Sequence, residues 1–451
     1  MFIGVFSVAA LLTGSILGWK PLLAIYWVHR LETGERTAAA KLQELGPAAV
    51  PHLVGAIARG RQPSAEPQIS SLLAGFGPAG EGALLDAYGR NHRNSDCRAR
   101  LAWALRYCRG KPARTAYHQA ILDEQLALYR RHEPIRDHPV AVALWALAAR
   151  QEDDGRWSGS RWGARGASDT EVTSLASLAF LSYGETRKSG SYSFEVGRAL
   201  DYLAGCQNQD GLLGSGSMRD HALAGMALAE ACNMEGSRTS PLAALAQRAA
   251  DYTIARQESA GGWANVPGEA TDDLTSALCV MQLKSTKLAG LTVTPPTLQA
   301  ALDYFGVLTI GEDGGPDRHL VRTRAGERPT PRSLACEAIV RWLLGFVPDD
   351  PQFARLAGEA GGRPHEFIAD PWAGFLGKMA FFLYHVECRQ QWRDTEKKLL
   401  LPAQTSSGVS YGLWPANSDE GRRLGLIGHT ALRAMEMVIG ERGEYLPMYT
   451  K

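Results

Sequence analysis

The chain has 451 residues, enough for about three domains of roughly 150 residues each. Its 48 Lys and Arg residues against 47 Asp and Glu residues give a formal net charge of +1, so no bulk positive field is available to bind nucleic acid. Seven Cys residues without a CxxC pair fit neither a disulfide scaffold nor a structural zinc site. Glycine accounts for 48 of the 451 residues, about 11% where about 7% is usual. Tryptophan, with 11 residues, is also in excess.

An apolar segment begins the chain. Residues 2–19 carry no charge, and an apolar run continues to Val28. A segment of this length can cross most of a bilayer, and neither a preceding basic residue nor a small-x-small site indicates a cleaved signal peptide. We therefore expect residues 1–29 to form a single-pass transmembrane helix, with a buried helix or an uncleaved export signal as the alternatives. Because Lys20 and Arg30 follow the apolar residues, the positive-inside rule places the remainder in the cytoplasm.

The next segment, residues 30–115, carries a short repeat with helical spacing. The string LGPA at residues 45–48 recurs as FGPA at residues 76–79, and the apolar residues after each copy share one helix face. A Gly-Pro pair ends one helix and is tolerated at the start of the next. The pattern resembles a HEAT-type helical repeat. Such stacks more often position a neighbour or bind a partner than catalyse a reaction.

A second, longer repeat fills the rest of the chain, residues 116–451. In it a glutamine ends a helical segment and a Gly-rich turn follows: QEDDGRW at 151–157, QNQDGLLG at 207–214, QESAGGW at 257–263 and QTSSGVSYGLW at 404–414. The first three glutamines lie 56 and 50 residues apart, and a further helical run follows each turn. Strand-type alternation is almost absent, so the repeated unit is a helical hairpin.

About six such hairpins can close into a ring, with one helix of each hairpin inside and one outside. In such a ring the glutamine amides would bond to backbone groups at successive helix ends and the indoles would fill the gaps between them. The residues with this expected structural role are Gln151, Trp157, Gln207, Gln257, Trp263, Gln404 and Trp414.

These motifs resemble the QW repeats of the terpenoid cyclase and protein prenyltransferase superfamily, most closely those of bacterial prenyltransferase and squalene oxidase repeat proteins. The resemblance covers about residues 135–451. It implies an all-α fold, an (α/α)6 toroid with a central cavity, here preceded by the HEAT-like stack and the transmembrane helix.

The family's catalytic motifs are incomplete. Squalene-hopene-type cyclases protonate an alkene with an acid held in a DxDD motif, and no DxDD occurs here. The nearest sequence is the pair Asp272 and Asp273 at the start of a predicted inner helix. Either residue could be the acid of an isoprenoid enzyme, but Asp272 also suits the N-cap of that helix.

Other chemistry has weaker signals. Protein prenyltransferases hold zinc with Asp, Cys and His, but Cys279, Cys336, His385 and His429 do not have the family's spacing, so we expect no metal or other cofactor. Thioester GCGEQ, Walker, GxSxG and HExxH strings are missing from the sequence. The polar residues expected on the inner helices, and so the candidate binding residues, are His221, Cys336, Glu337, Tyr384, His385 and His429. A basic run near the expected cavity rim contains Arg322, Arg324, Arg328 and Arg332.

The sequence therefore predicts a membrane-tethered protein whose toroid binds an apolar, isoprenoid-like molecule or a peptide, and which binds no nucleic acid. The alternative is a terpenoid cyclase or prenyltransferase-like enzyme that acts on a membrane isoprenoid, with Asp272 or Asp273 as the acid. A cavity lined by Trp, Tyr and Phe would favour the enzyme, because aromatic faces stabilise carbocations. An open, polar cavity would favour binding.

Overall fold

The computed structural model describes residues 19–35, 37–91, 94–132, 138–236, 240–306, 330–345, 358, 360–382 and 386–439. Within these ranges the regular structure is helical, apart from two isolated bridges of strand type. The predicted all-α class is therefore confirmed. Contacts divide the chain into two units, Met1–Leu128 and Tyr129–Lys451. The division falls later than the expected boundary at residue 115 because one helix, Lys111–His132, runs through it.

The first unit is built from short helices joined by tight turns. They are α1 (Lys20–Glu32), α2 (Ala38–Leu45), α3 (Val50–Arg59), α4 (Glu66–Gly75), α5 (Pro78–Arg90), α6 (Ser95–Leu105) and α7 (Lys111–His132). The two Gly-Pro pairs lie at turns, as their sequence predicts: Gly46 and Gly77 have φ of 66° and 57°, and Pro78 is the first residue of α5. Apolar side chains from each of α1 to α7 share one buried core.

Helix α1 overlaps the end of the predicted membrane anchor. It packs on α2 and α3, and its residues Ala24, Val28 and Leu31 are buried in the core of the first unit. Residues 1–18, which form most of the predicted anchor, lie outside the described residues. No helix among the described residues is long and apolar enough to span a bilayer.

The described part of the second unit contains twelve α-helices after α7. They are α8 (His138–Ala148), α9 (Asp169–Ser182), α10 (Ser193–Gly205), α11 (Met218–Glu235), α12 (Pro241–Ala255), α13 (Asp273–Leu288), α14 (Pro295–Gly306), α15 (Pro331–Leu343), α16 (Pro364–Ala369), α17 (Pro371–Gly377), α18 (Val386–Leu399) and α19 (Asp419–Val438). A π-helical turn, Lys378–Phe382, continues α17.

Six helices of this unit form a closed circuit of contacts. Helix α9 contacts α11, α11 contacts α13, α13 contacts α15, α15 contacts α17, α17 contacts α19, and α19 contacts α9. We call these six the inner helices, because almost every residue of α9, α15 and α17 is buried. The helices between them pack on the circuit and keep an exposed face. For example, α10 buries mainly Val196, Leu200 and Leu203, and α12 buries mainly Leu242, Ala246 and Ala250.

Candidate functional site

The four glutamines occupy equivalent positions at the turns of the second unit. Each side-chain amide donates to a carbonyl of its own turn and to a carbonyl of another outer helix: Gln151 to Gly155 and Glu195 (2.8 and 2.9 Å), Gln207 to Gly211 and Leu245 (3.3 and 2.9 Å), Gln257 to Gly261 and Thr297 (2.8 and 2.9 Å), and Gln404 to Gly412 and Pro139 (2.9 and 2.8 Å). Pro139 belongs to α8, the first helix of the unit. Gln404 therefore joins the last of these turns to the first helix of the unit.

The three tryptophans fill the space between these turns and the inner helices. Trp157, Trp263 and Trp414 are fully buried. Their indole Nε1 atoms donate to the carbonyls of Leu147, Thr253 and Leu400 at 2.7–2.8 Å, and their backbone N–H groups donate to the hydroxyls of Thr173, Ser276 and Thr430. Each tryptophan thus connects the end of an outer helix to an inner helix, and its polar atom is satisfied within the protein.

His221, a predicted binding residue, lies at the one of these four turns that has no tryptophan. Leu213 occupies the tryptophan position, and its backbone N–H donates to Nδ1 of His221 at 3.0 Å. The imidazole Nε2 lies 3.0 Å from both the carbonyl of Ala249 and the hydroxyl of Thr253. Because Nδ1 accepts a hydrogen bond, the neutral ring carries its proton on Nε2. Both ring nitrogens therefore make hydrogen bonds that join two helices and a turn, which gives His221 a structural role.

This burial predicts a pH dependence of stability. Burial lowers the pKa of His221 from 6.5 to about 4, against the opposing effect of the Ala249 hydrogen bond. Between these values the unfolded chain binds a proton that the folded protein excludes, so His221 reduces stability as the pH falls from about 6.5 to 4. His221→Asn should lower stability at pH 7 but lose about 3 kcal/mol less than the unchanged protein between pH 7 and pH 4. Urea unfolding at both pH values measures this difference, and equal losses in the two proteins would contradict it.

The N-terminal ends of the inner helices are linked to one another by side chains. The links are Ser168 to Asp220 (2.5 Å), Arg219 to Asp272 (2.8 Å), Arg332 to Asp370 (3.0 Å), Trp372 to Glu420 (2.9 Å) and Arg423 to Glu171 (2.8 Å). All of these residues are caps or lie near the starts of α9, α11, α13, α15, α17 and α19. The starts of the six inner helices therefore lie together on one face, which we call the rim.

The five links join five of the six neighbouring pairs of inner helices. At the sixth pair, α13 and α15, the rim contains a cavity of about 300 Å³. Its lining residues are Thr271, Asp272, Asp273, Leu274, Tyr304, Arg332, Ser333 and Cys336. Both catalytic candidates, Asp272 and Asp273, and the binding candidate Cys336 thus lie at one cavity, together with Arg332 of the predicted basic run.

Asp272 has structural partners on two helices. Its side chain caps α13 by accepting from the backbone N–H of Thr275 at 2.8 Å, and it pairs with Arg219 at 2.8 Å. Burial alone would raise the pKa of Asp272, but the positive charge of Arg219 and the hydrogen bonds outweigh it, so the pKa lies below its usual range. The carboxylate is ionised at neutral pH. Asp272 is therefore the N-cap of α13, as the sequence also allowed. A proton donor would instead need a carboxyl group that is protonated at neutral pH.

The neighbouring candidates are held differently. Asp273 accepts a hydrogen bond from the hydroxyl of Tyr304 at 2.9 Å. Burial raises the pKa of the Cys336 thiol well above its usual value, so this group is a neutral thiol. Glu337 is buried and pairs with Arg341 at 2.8 Å. Burial raises the pKa of Glu337 to about 7 although Arg341 acts in the opposite direction, and the Asp273 carboxylate adds to the increase.

The remaining candidates lie away from this cavity or outside the described residues. His429 is buried on α19, and burial, followed by the charge of Arg433, lowers its pKa to about 3. It is not among the cavity lining. Tyr384 and His385 lie outside the described residues, as do Arg322, Arg324 and Arg328. In the described part of the chain, no group of three His, Cys, Asp or Glu side chains is arranged to hold a metal ion.

Among the described residues that link the starts of the inner helices or line the cavity, carboxylates outnumber guanidinium groups. The carboxylates are Glu171, Asp220, Asp272, Asp273, Asp370 and Glu420, and the guanidinium groups are Arg219, Arg332 and Arg423. Sequence reasoning missed most of these residues. A charged residue in the first turn of each predicted inner helix was the available signal, but N-capping explains such residues equally well.

No family model, curated protein or solved structure matches this chain. The resemblance to the terpenoid cyclase and prenyltransferase superfamily therefore stays a prediction from the sequence motifs.

Proposed function

We propose that the second unit is an (α/α)6 toroid with QW-type turns, that it binds a ligand at the rim, and that it does not carry out proton-initiated cyclisation. The closed circuit of inner helices and the bond from Gln404 to Pro139 support the toroid. The first unit would be a HEAT-like stack, with the N-terminal segment as its membrane tether.

The state of Asp272 is the observation that carries the functional part of the proposal. A general acid must hold a proton at working pH. Asp272 instead caps a helix and pairs with Arg219, and both interactions favour the ionised carboxylate. The cavity beside it supports the same conclusion, because Tyr304 is its only aromatic lining residue among the described side chains. An isoprenoid cation would lack the aromatic surfaces that stabilise it.

The charge at the cavity favours a peptide ligand with a basic group over an isoprenoid. Among the described residues around the cavity, four carboxylates stand beside three guanidinium groups: Asp272, Asp273, Asp370 and Glu420 against Arg219, Arg332 and Arg423. Such an excess attracts cations and repels a diphosphate. A lysine ammonium group at the cavity would donate hydrogen bonds to carboxylate and hydroxyl oxygens of its lining.

A titration tests this ligand class. We expect a fluorescein-labelled tetralysine peptide to bind the purified protein, measured as fluorescence anisotropy, and Asp273→Asn to weaken binding about fivefold, the effect of losing one partly exposed charge pair. Asparagine can still accept a hydrogen bond from Tyr304, so the fold should tolerate the change. Asp210→Asn, at an exposed carboxylate in the second Gly-rich turn, is the matched control and should bind as the unchanged protein does.

Two results would contradict the proposal. Equal weakening by Asp273→Asn and Asp210→Asn would mean that the peptide binds through general charge attraction. Binding of farnesol without binding of the peptide would favour the apolar, isoprenoid-like ligand instead.

A further inference from the structure

The outer face of α1 exposes a group of apolar side chains. Leu22, Leu23, Ile25 and Tyr26 are 47%, 41%, 52% and 46% exposed, while Ala24, Val28 and Leu31 on the same helix are buried. Elsewhere in the described chain, Trp103 and Tyr107 form a smaller exposed pair, and Val266, Leu399 and Val409 are single exposed residues. Single exposed apolar residues are common in proteins, but a group on one helix face marks an interaction surface.

The exposed face changes character along the helix. Helical spacing places His29 and Arg30 on the same side as Leu22 and Tyr26, one to two turns further on, and both are exposed. The face is therefore apolar near the start of α1 and basic near its end. The residues that precede α1 in the sequence, 2–19, carry no charge.

We propose that this face, Leu22, Leu23, Ile25 and Tyr26, lies in the interfacial layer of a lipid bilayer. Amphipathic helices bury an apolar face about 5–10 Å into this layer, and tyrosine and basic residues are favoured at headgroup depth. The sequence before α1 is uncharged, and it adjoins the apolar end of the face. Because the opposite side of α1 is packed in the core of the first unit, the contact holds that unit directly against the membrane.

A second copy of the chain is a weaker candidate for covering this face. Four side chains, each about half exposed, offer far less area than the roughly 800 Å² per partner of a stable interface. The inference rests on the membrane tether of the proposed function, but the tether would not by itself require α1 to touch lipid.

Spin labels in the full chain test the contact. The protein is reconstituted into phosphatidylcholine/phosphatidylglycerol vesicles with a nitroxide at Ile25→Cys, and collisions with oxygen, which concentrates in lipid, are compared with collisions with a water-soluble nickel complex. Val409→Cys, at an exposed residue of the second unit, is the matched control. The parent chain, treated with the same label, gives the background signal from the native cysteines. We expect oxygen to dominate at Ile25→Cys and nickel at Val409→Cys.

The outcomes separate this inference from the tether. Membrane-bound protein whose Ile25→Cys label is as accessible to nickel as the control would overturn the α1 contact and leave the tether standing. Protein that does not associate with the vesicles at all would overturn both. A label shielded from oxygen and nickel alike would indicate a protein contact and would also overturn the inference.

Discussion

Gly261→Ala is expected to lower the free energy of unfolding by about 3 kcal/mol or more. Gly261 lies in the third Gly-rich turn with φ of 90°, and a Cβ atom there would lie 2.1 Å from the carbonyl oxygen of Ala300 on α14. The left-handed backbone costs about 1–2 kcal/mol for a residue with a Cβ atom, and displacement of the α14 backbone adds about 1–3 kcal/mol. Chemical denaturation followed by circular dichroism measures the loss.

Gly268→Ala is the matched control for this prediction. Gly268 has nearly the same φ, 88°, but no atom lies within 4 Å of a Cβ placed there. It should show only the backbone effect, about 1–2 kcal/mol. Equal losses in the two variants would mean that the turn does not press against α14, which would contradict the packing of neighbouring hairpins.

Trp263→Ala is expected to cost about 3–5 kcal/mol, the usual range for removal of a buried large aromatic side chain. The indole is fully buried, and its Nε1 donates to the carbonyl of Thr253 at 2.8 Å. The alanine variant leaves a cavity and removes one of the two hydrogen bonds that the Thr253 carbonyl accepts, the other being from the backbone N–H of Arg256.

Trp263→Phe helps to separate these two contributions, since it removes the hydrogen bond but keeps most of the buried volume. We expect it to lose about 1–3 kcal/mol, measured by the same denaturation experiment. A phenylalanine variant as unstable as the alanine variant would show that the hydrogen bond, and not packing, is the main contribution of the indole.

The turns could be predicted from the sequence because their interactions are local. Gln257, Gly261 and Trp263 lie within seven residues, and the bond from Gln257 to Gly261 joins groups four residues apart. The role of His221 could not be predicted in the same way. His221 has this role because Leu213 occupies the position that a tryptophan has in the other turns. The equivalence of the two positions is visible only when the turns are superimposed in space.

The rim was largely beyond the sequence because distant parts of the chain assemble it. Arg423 pairs with Glu171 across 252 residues, and Arg332 pairs with Asp370 across 38. A single sequence shows that such charged residues follow helix caps, but it does not show which of them meet. Asp272 was ambiguous for the same reason, since capping and acid catalysis require the same residue type, and only the position of Arg219 distinguishes them.

The extent of the N-terminal segment also depended on packing. The apolar run to Val28 predicted an anchor over residues 1–29, yet Ala24 and Val28 face the core of the first unit. Hydropathy does not distinguish a residue buried in lipid from one buried in protein. The exposed half of α1 is what leaves a membrane contact available to this helix.

Product analysis tests most directly whether the rim binds a ligand without catalysis. The purified full chain, shown to bind the tetralysine probe, is incubated with squalene and with farnesyl diphosphate, and the mixtures are analysed by mass spectrometry. Because Asp272 is ionised in its helix cap, we predict that both compounds are recovered unchanged. A new product that disappears in the Asp272→Asn variant would contradict this account and identify the carboxyl group as the acid of an isoprenoid enzyme.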